Sequence, residues 1–152
     1  MPVPGAGRRF CRYDVAMREP SFNHLGRKSV LTAEQLAAPR TILDAFPSPR
    51  PGRRFEVRFV FPEFTSMCPV TGQPDFATIT VTYVPDQRCV EMKSLKLYFL
   101  AFRNQGIFFE GVVNQILDDL AEVLRPQRLT VVGDFAVRGG MGGVVTAHYP
   151  HD

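Results

Sequence analysis

Apolar and polar residues alternate over two neighbouring stretches of this chain. From Arg54 to Phe61, Phe55, Val57, Phe59 and Phe61 fall on one side and Glu56 and Arg58 on the other. From Phe76 to Val84, Ala77, Ile79, Val81 and Tyr83 face one way while Thr78, Thr80 and Thr82 face the other. A period of two marks half-buried strands, and two of them joined by a loop read as an antiparallel pair. From Met92 the period lengthens. Leu95, Tyr98, Phe99 and Phe102 recur at helical steps, predicting a helix that ends near Arg103 or Asn104, before Gly106. Phe109, Val112, Val113, Ile116, Leu117, Leu120 and Leu124 make the apolar stripe of a second helix, which Pro126 stops. Leu129, Val131, Phe135 and Val137 then read as a strand with an irregularity near Gly133. A glycine-rich turn over Arg138 to Gly143 leads to a last strand, Val144 to Tyr149. The order strand, strand, helix, helix, strand, strand predicts an α+β domain with one sheet and both helices on one of its faces.

The first half of the chain is less periodic. Thr32-Ala33-Glu34-Gln35 has the spacing of a capping box, so a short helix is expected from about Ala33. Pro47, Pro49, Pro51 and Gly52 then interrupt the chain. Residues 1–30 are rich in Pro, Gly and Arg and read as a poorly ordered arm ahead of a single domain over 31–152. The arm's Arg8, Arg9 and Arg12 are expected to be a solvated tail.

At 152 residues with 45% hydrophobic and 22% charged positions, the composition is that of an ordinary globular domain. A net charge of +3 is too mild to imply nucleic-acid binding, but it suits an anionic small molecule such as a phosphorylated cofactor. No leader-like or membrane-spanning apolar run is present, so a soluble cytoplasmic protein is expected. Cys11, Cys68 and Cys89 have no metal-ligand spacing and argue against a disulfide framework.

The stretch with most chemistry joins the first two strands: Phe64-Thr-Ser-Met-Cys68-Pro-Val-Thr-Gly-Gln-Pro-Asp75. Pro69 forces an extended backbone at Cys68, which fixes the thiol on a loop. A thiolate nucleophile needs access and a proton partner, and Cys68 with Asp75 supplies both. The same residues also suit a buried structural cysteine beside a turn aspartate. Lys93 and Lys96 share a helix face and suit either phosphate binding or a solvated surface.

The octet Glu91-Met-Lys93-Ser94-Leu95-Lys96-Leu97-Tyr98 resembles the signature of the 7-cyano-7-deazaguanine reductases. The Cys68–Asp75 run is similar to that family's nucleophile loop. Phe102-Arg-Asn104, Asn114 to Leu120, and Gly133-Asp-Phe135 with Arg138-Gly-Gly140 resemble further family segments, in order and spacing over roughly residues 22–142. The resemblance implies a tunnelling fold (T-fold). It also implies a homo-oligomer of stacked rings with active sites at subunit boundaries. The implied activity is NADPH-dependent reduction of the nitrile of 7-cyano-7-deazaguanine to 7-aminomethyl-7-deazaguanine through a cysteine thioimide, in queuosine biosynthesis. The base is processed before it enters tRNA, so no nucleic-acid contact is implied.

By the same resemblance, Cys68 is the nucleophile and Asp75 the proton donor, a role that needs a raised carboxyl pKa. Glu110 matches the base-binding glutamate, and Val90, Glu91 and Met92 match a second substrate-contacting segment. Lys93, Lys96, Arg138 and Gly139 match NADPH-binding positions, and no metal is implied. Two departures stand out. Phe109 replaces the family's usual His before the glutamate, and its ring is expected to pack on the substrate. Met92 replaces the usual Ser or Leu. Other readings of the residues are a zinc-dependent GTP cyclohydrolase-like relative, a peroxidatic thiol protein, and a catalytically idle purine- or pterin-binding module. Cys11 and Cys89 read as structural or incidental.

Overall fold

The core is set by a four-stranded antiparallel sheet whose facing residues line up in apolar rows. The computed structural model describes residues 21–26, 28 and 30–151. In chain order it contains helix α1 (Ala33–Ala37), a 3₁₀ turn (Pro39–Ile42), strands β1 (Ala45–Pro47), β2 (Val57–Met67), β3 (Pro74–Val84) and β4 (Arg88–Val90), helices α2 (Met92–Leu100) and α3 (Phe109–Leu124), and strands β5 (Arg128–Arg138) and β6 (Met141–Tyr149). The main sheet has the order β2-β3-β5-β6, while β1 and β4 pair separately.

Register explains the two faces. Phe59, Val81, Val131 and Ala147 form one row across the sheet, and Phe61, Ile79, Gly133 and Val145 the next. Both helices pack on this face. Phe99 of α2 stacks on Phe61 with ring centroids 5.0 Å apart. Val113 of α3 comes so close to Gly133 that a Cβ there would lie 2.6 Å from its Cγ2. Gly133 therefore marks close helix–sheet approach, and pairing with β3 runs through it unbroken. The expected irregularity lies further on, between Phe135 and Arg138. The opposite face carries Arg58, Thr82, Thr130 and His148 in one row and Val60, Thr80, Val132 and Thr146 in another.

Two bulges change which residues point inward. Phe61 pairs with Ile79 and Phe64 with Ala77, so β2 spends one extra residue around Pro62 and Glu63. One added residue inverts the alternation beyond it. Phe64 and Ser66 are consequently buried, as Phe59 and Phe61 would not have predicted. In β5, Phe135 pairs with Gly143 and Arg138 with Met141, again one residue too many. Val137, expected inward from its spacing to Phe135, is 70% exposed.

The helices follow their local signals. The capping box at Thr32 is complete in both directions. Helix α3 spans its apolar stripe and ends at Arg125 in the left-handed conformation, before Pro126. Helix α2 ends at Leu100, and turns carry the chain on to Asn104. The pairing of β1 with β4 and the extension of β2 to Met67 go beyond the periodicity. The expected arm over residues 1–30, with Arg8, Arg9, Arg12 and Cys11, lies largely outside the described residues. Within its described part, Asn23 donates from its backbone and side-chain nitrogens to the Asp44 carboxylate.

Candidate active site

Cys68 follows β2 directly, and local main-chain bonds fix its loop. The Cys68 amide donates to the Gln73 carbonyl at 2.8 Å, and the Gly72 amide donates to the Cys68 carbonyl at 2.9 Å. Gly72 sits at φ 67°, where a Cβ would be strained. This closure turns the Val70 and Thr71 amides and the Thr71 hydroxyl toward the sulfur. The thiol is lowered from an ordinary 9.0 to about 7, by the Thr71 hydroxyl first, then by those two amides, with a smaller contribution from Arg138. About half of it is therefore thiolate near pH 7, against a few per cent for a free cysteine. The sulfur remains partly exposed.

The sheet brings two more groups to this corner. Asp75 lies on β3 opposite Ser66, on the same face as Ala77 and Ile79, and its side chain is only 4% exposed. Arg138 lies at the end of β5, and the bulge before it turns its guanidinium toward Asp75. Arg138 Nη1 stands 2.7 Å from Asp75 Oδ1, and the same side chain makes the smallest of the contributions that lower the Cys68 thiol. Arg138 thus pairs with Asp75 and reaches the neighbourhood of Cys68. Gly139 and Gly140, at φ 61° and 83°, make the two-residue turn after Arg138, a conformation in which glycine is favoured at both positions.

The other expected site residues fall into two groups apart from this corner. Val90 is buried, and its amide donates to the Tyr83 hydroxyl at 3.2 Å. Glu91 caps α2: its two carboxylate oxygens accept from the Lys93 amide at 2.8 Å and the Ser94 amide at 2.7 Å. Ser94 Oγ donates to the Glu91 carbonyl and accepts from the Asp44 amide. Much of the signature octet thus docks the start of α2. Met92 and Lys96 are exposed, and Lys93 Nζ donates to the His24 carbonyl at 2.5 Å. Glu110 is exposed in the first turn of α3. Phe109 stacks on Phe135, centroids 3.8 Å apart and planes 11° from parallel, and it borders Gly143. One face of the ring expected to meet substrate is therefore covered by β5.

A main-chain link joins Cys68 to the approach of α3. The Met67 amide donates to the Gln105 carbonyl at 2.9 Å, and the Ile107 amide donates to the Met67 carbonyl at 3.0 Å. Sequence reasoning missed Thr71, Phe135 and the bond from Arg138 to Asp75. For Thr71 a signal existed, since a hydroxyl three residues after a cysteine, followed by Gly, suits a closed turn. No cluster of three or more His, Cys, Asp or Glu side chains suited to a metal ion occurs among the described residues.

The profile of the family described as "QueF-like protein" matches residues 74–152. A protein of Anaeromyxobacter sp. (strain K) is 60% identical over 111 residues, covering 73% of this chain and 91% of that protein. It is named NADPH-dependent 7-cyano-7-deazaguanine reductase. The chain belongs to this reductase family. Like-named proteins of Thermomicrobium roseum, 55% identical over 73% of this chain and 87% of that protein, and of Chlorobium chlorochromatii, 51% identical over 71% and 93%, agree with the membership. Among solved structures, the apo archaeosine synthase QueF-Like aligns with a TM-score of 0.53 at 20% identity, covering 63% of this chain and 90% of that one. That likeness concerns the fold of the reductase family member described here, not its chemistry.

Proposed function

We propose that this chain reduces the nitrile of 7-cyano-7-deazaguanine to the aminomethyl group of 7-aminomethyl-7-deazaguanine with NADPH, within queuosine biosynthesis. The observation that carries the reading is an accessible Cys68 with a lowered thiol near the ion pair of Arg138 with a buried Asp75, in a chain whose relatives bear that activity in their names.

The chemistry asked of each residue is definite. As the Cys68 sulfur adds to the nitrile carbon, the Asp75 carboxylate takes up the thiol proton and passes it to the nitrogen, which receives the displaced π pair, leaving a thioimide. NADPH supplies hydride when bound, two per nitrile. Cys68 leaves again as thiolate after the first hydride, and Asp75 relays protons drawn from solvent to the nitrogen. The Glu110 carboxylate, exposed at the start of α3, is suited to accept from the ring NH and amine of the deazaguanine. The Val90–Met92 segment and Phe109 border the base. The residues also fit a phosphate-bearing cofactor. Lys96 is exposed, Arg138 is 43% exposed beyond its bond to Asp75, and a Cβ on Gly139 or Gly140 would meet nothing within 4 Å. Lys93 is assigned to the same group.

The single domain over 31–152 is proposed to be a T-fold module. It assembles through its sheets into stacked rings, with sites completed at subunit boundaries. Supporting this, β2 and β6 have open edges among the described residues, and Val60, Phe76 and Val144 are exposed on strands of that sheet. No helix among the described residues is long and apolar enough to cross a membrane. The proposal is of a cytoplasmic enzyme acting on the free base.

Purified protein mixed with the nitrile and NADPH, without added metal, should consume two NADPH per nitrile and yield the amine. Absence of both NADPH loss and a Cys68 adduct in the intact mass would overturn the reading.

A further inference from the structure

We infer that Arg138 is a positioning residue for the reacting pair: its guanidinium, turned inward by the β5 bulge, holds the Asp75 carboxylate and the Cys68 sulfur together before any cofactor arrives. The inference rests on the proposed function and deepens it, because family resemblance assigns Arg138 to the cofactor alone. The geometry asks more of it. Asp75 is almost fully buried, and the 2.7 Å bond to Arg138 is the ion pair the structure gives its carboxylate. A buried carboxylate without such a partner is costly and repels a neighbouring thiolate. One guanidinium between two anions removes that repulsion, and its planar fork fixes their spacing as an ammonium could not.

The charged groups facing Cys68 are few. From β5 comes Arg138, which is paired with Asp75 of β3. The nucleophile loop contributes only the neutral Thr71 hydroxyl and the amides of Val70 and Thr71. The segment bonded to Met67 presents Gln105, Gly106 and Ile107, which do not titrate. Arg138 is therefore the cation that balances this corner. The outer part of the same side chain remains exposed, so contact with a cofactor phosphate is compatible with the inward role.

The two roles separate in an experiment that omits NADPH. Iodoacetamide alkylation of the Cys68 peptide is followed against pH, and adduct formation with the nitrile is followed by intact mass, in wild type, Arg138→Gln, Arg138→Lys and Asp75→Asn backgrounds. Positioning predicts that Arg138→Gln moves the alkylation midpoint up, by less than loss of the Thr71 hydroxyl would, and slows adduct formation about ten-fold. Arg138→Lys should fall between, and the midpoint shift should shrink when Asp75→Asn removes the anion that Arg138 balances. An unchanged midpoint and adduct rate would overturn the inference and leave Arg138 a cofactor contact. Should Arg138→Gln not fold, Arg138→Lys decides by the same two readouts. Failure of wild type to form any adduct would instead count against the proposed function, while the alkylation midpoints would still test the role of Arg138.

Discussion

Replacing Thr71 by Val removes the contact that does most to lower the Cys68 thiol, while keeping the shape of the side chain. With the thiol at about 7, about half is ionised at pH 7. The Val70 and Thr71 amides and Arg138 remain in the variant, so the thiol moves only part of the way back toward 9.0. A rise of about one unit would leave roughly a tenth as thiolate at pH 7, about five-fold less. The more basic thiolate is intrinsically about three-fold more reactive. The net expectation is alkylation about two-fold slower at pH 7, with the curves crossing so that the variant is about three-fold faster once both thiols are fully ionised. Rates of iodoacetamide labelling on the Cys68 peptide across pH, with ultraviolet thiolate absorbance as a second measure, provide the test. Curves that superimpose would refute the assignment of the lowered thiol to the closed loop. The linkage has a definite sign. A folded value below the unfolded one stabilises the fold above the unfolded pKa, and that contribution is lost as pH falls through about 7. Stability of wild type should therefore gain on Thr71→Val as pH rises from 7 to 9.

Three further outcomes follow from the packing. Gly133→Ala places a methyl 2.6 Å from Val113 and 2.8 Å from the Phe135 ring; it should cost about 1–3 kcal/mol in urea unfolding, and an unchanged midpoint would mean that α3 does not sit so close. Glu91→Ala leaves the Lys93 and Ser94 amides without their acceptor; ligand-free stability should drop by about 0.5–2 kcal/mol, whereas a purely substrate-binding role would leave it untouched. Burial raises the Asp119 carboxyl above its ordinary 3.8 even though the Tyr98 hydroxyl donates to it, so its folded form binds protons more tightly and stability declines as pH climbs through that range. Asp119→Asn should remove this decline and be at least as stable as wild type at neutral pH; a less stable variant with the same acid slope would contradict it.

Much of the fold is written in local periodicity. The stripe from Phe109 to Leu124 needs only its own sequence and Pro126 to define α3, and the capping box at Thr32 is likewise self-contained. The Cys68 loop is legible because Pro69, Gly72 and Pro74 constrain the backbone around it. What escaped depends on partners distant in the chain. The bulges at Pro62–Glu63 and Ala136–Val137 are set by register against β3 and β6, and a period of two read on one strand cannot reveal an extra residue. Without them Val137, not Arg138, would share a face with Phe135. The β1–β4 pair is three residues long on each side, too short to show a pattern. Glu91 matched a family motif, which left unseen that its carboxylate is occupied by its own helix.

The bonds that Met67 makes to Gln105 and Ile107 tie two connecting segments into one unit. The span from Phe102 to Phe109 serves as a ruler, and its middle is fastened to the residue before Cys68. Adding or deleting a residue there would shift the sulfur's anchorage together with the start of α3, and with it Glu110. The length of this connection is bound to that of the Cys68 loop. Grafting either segment into another scaffold would require carrying the other along.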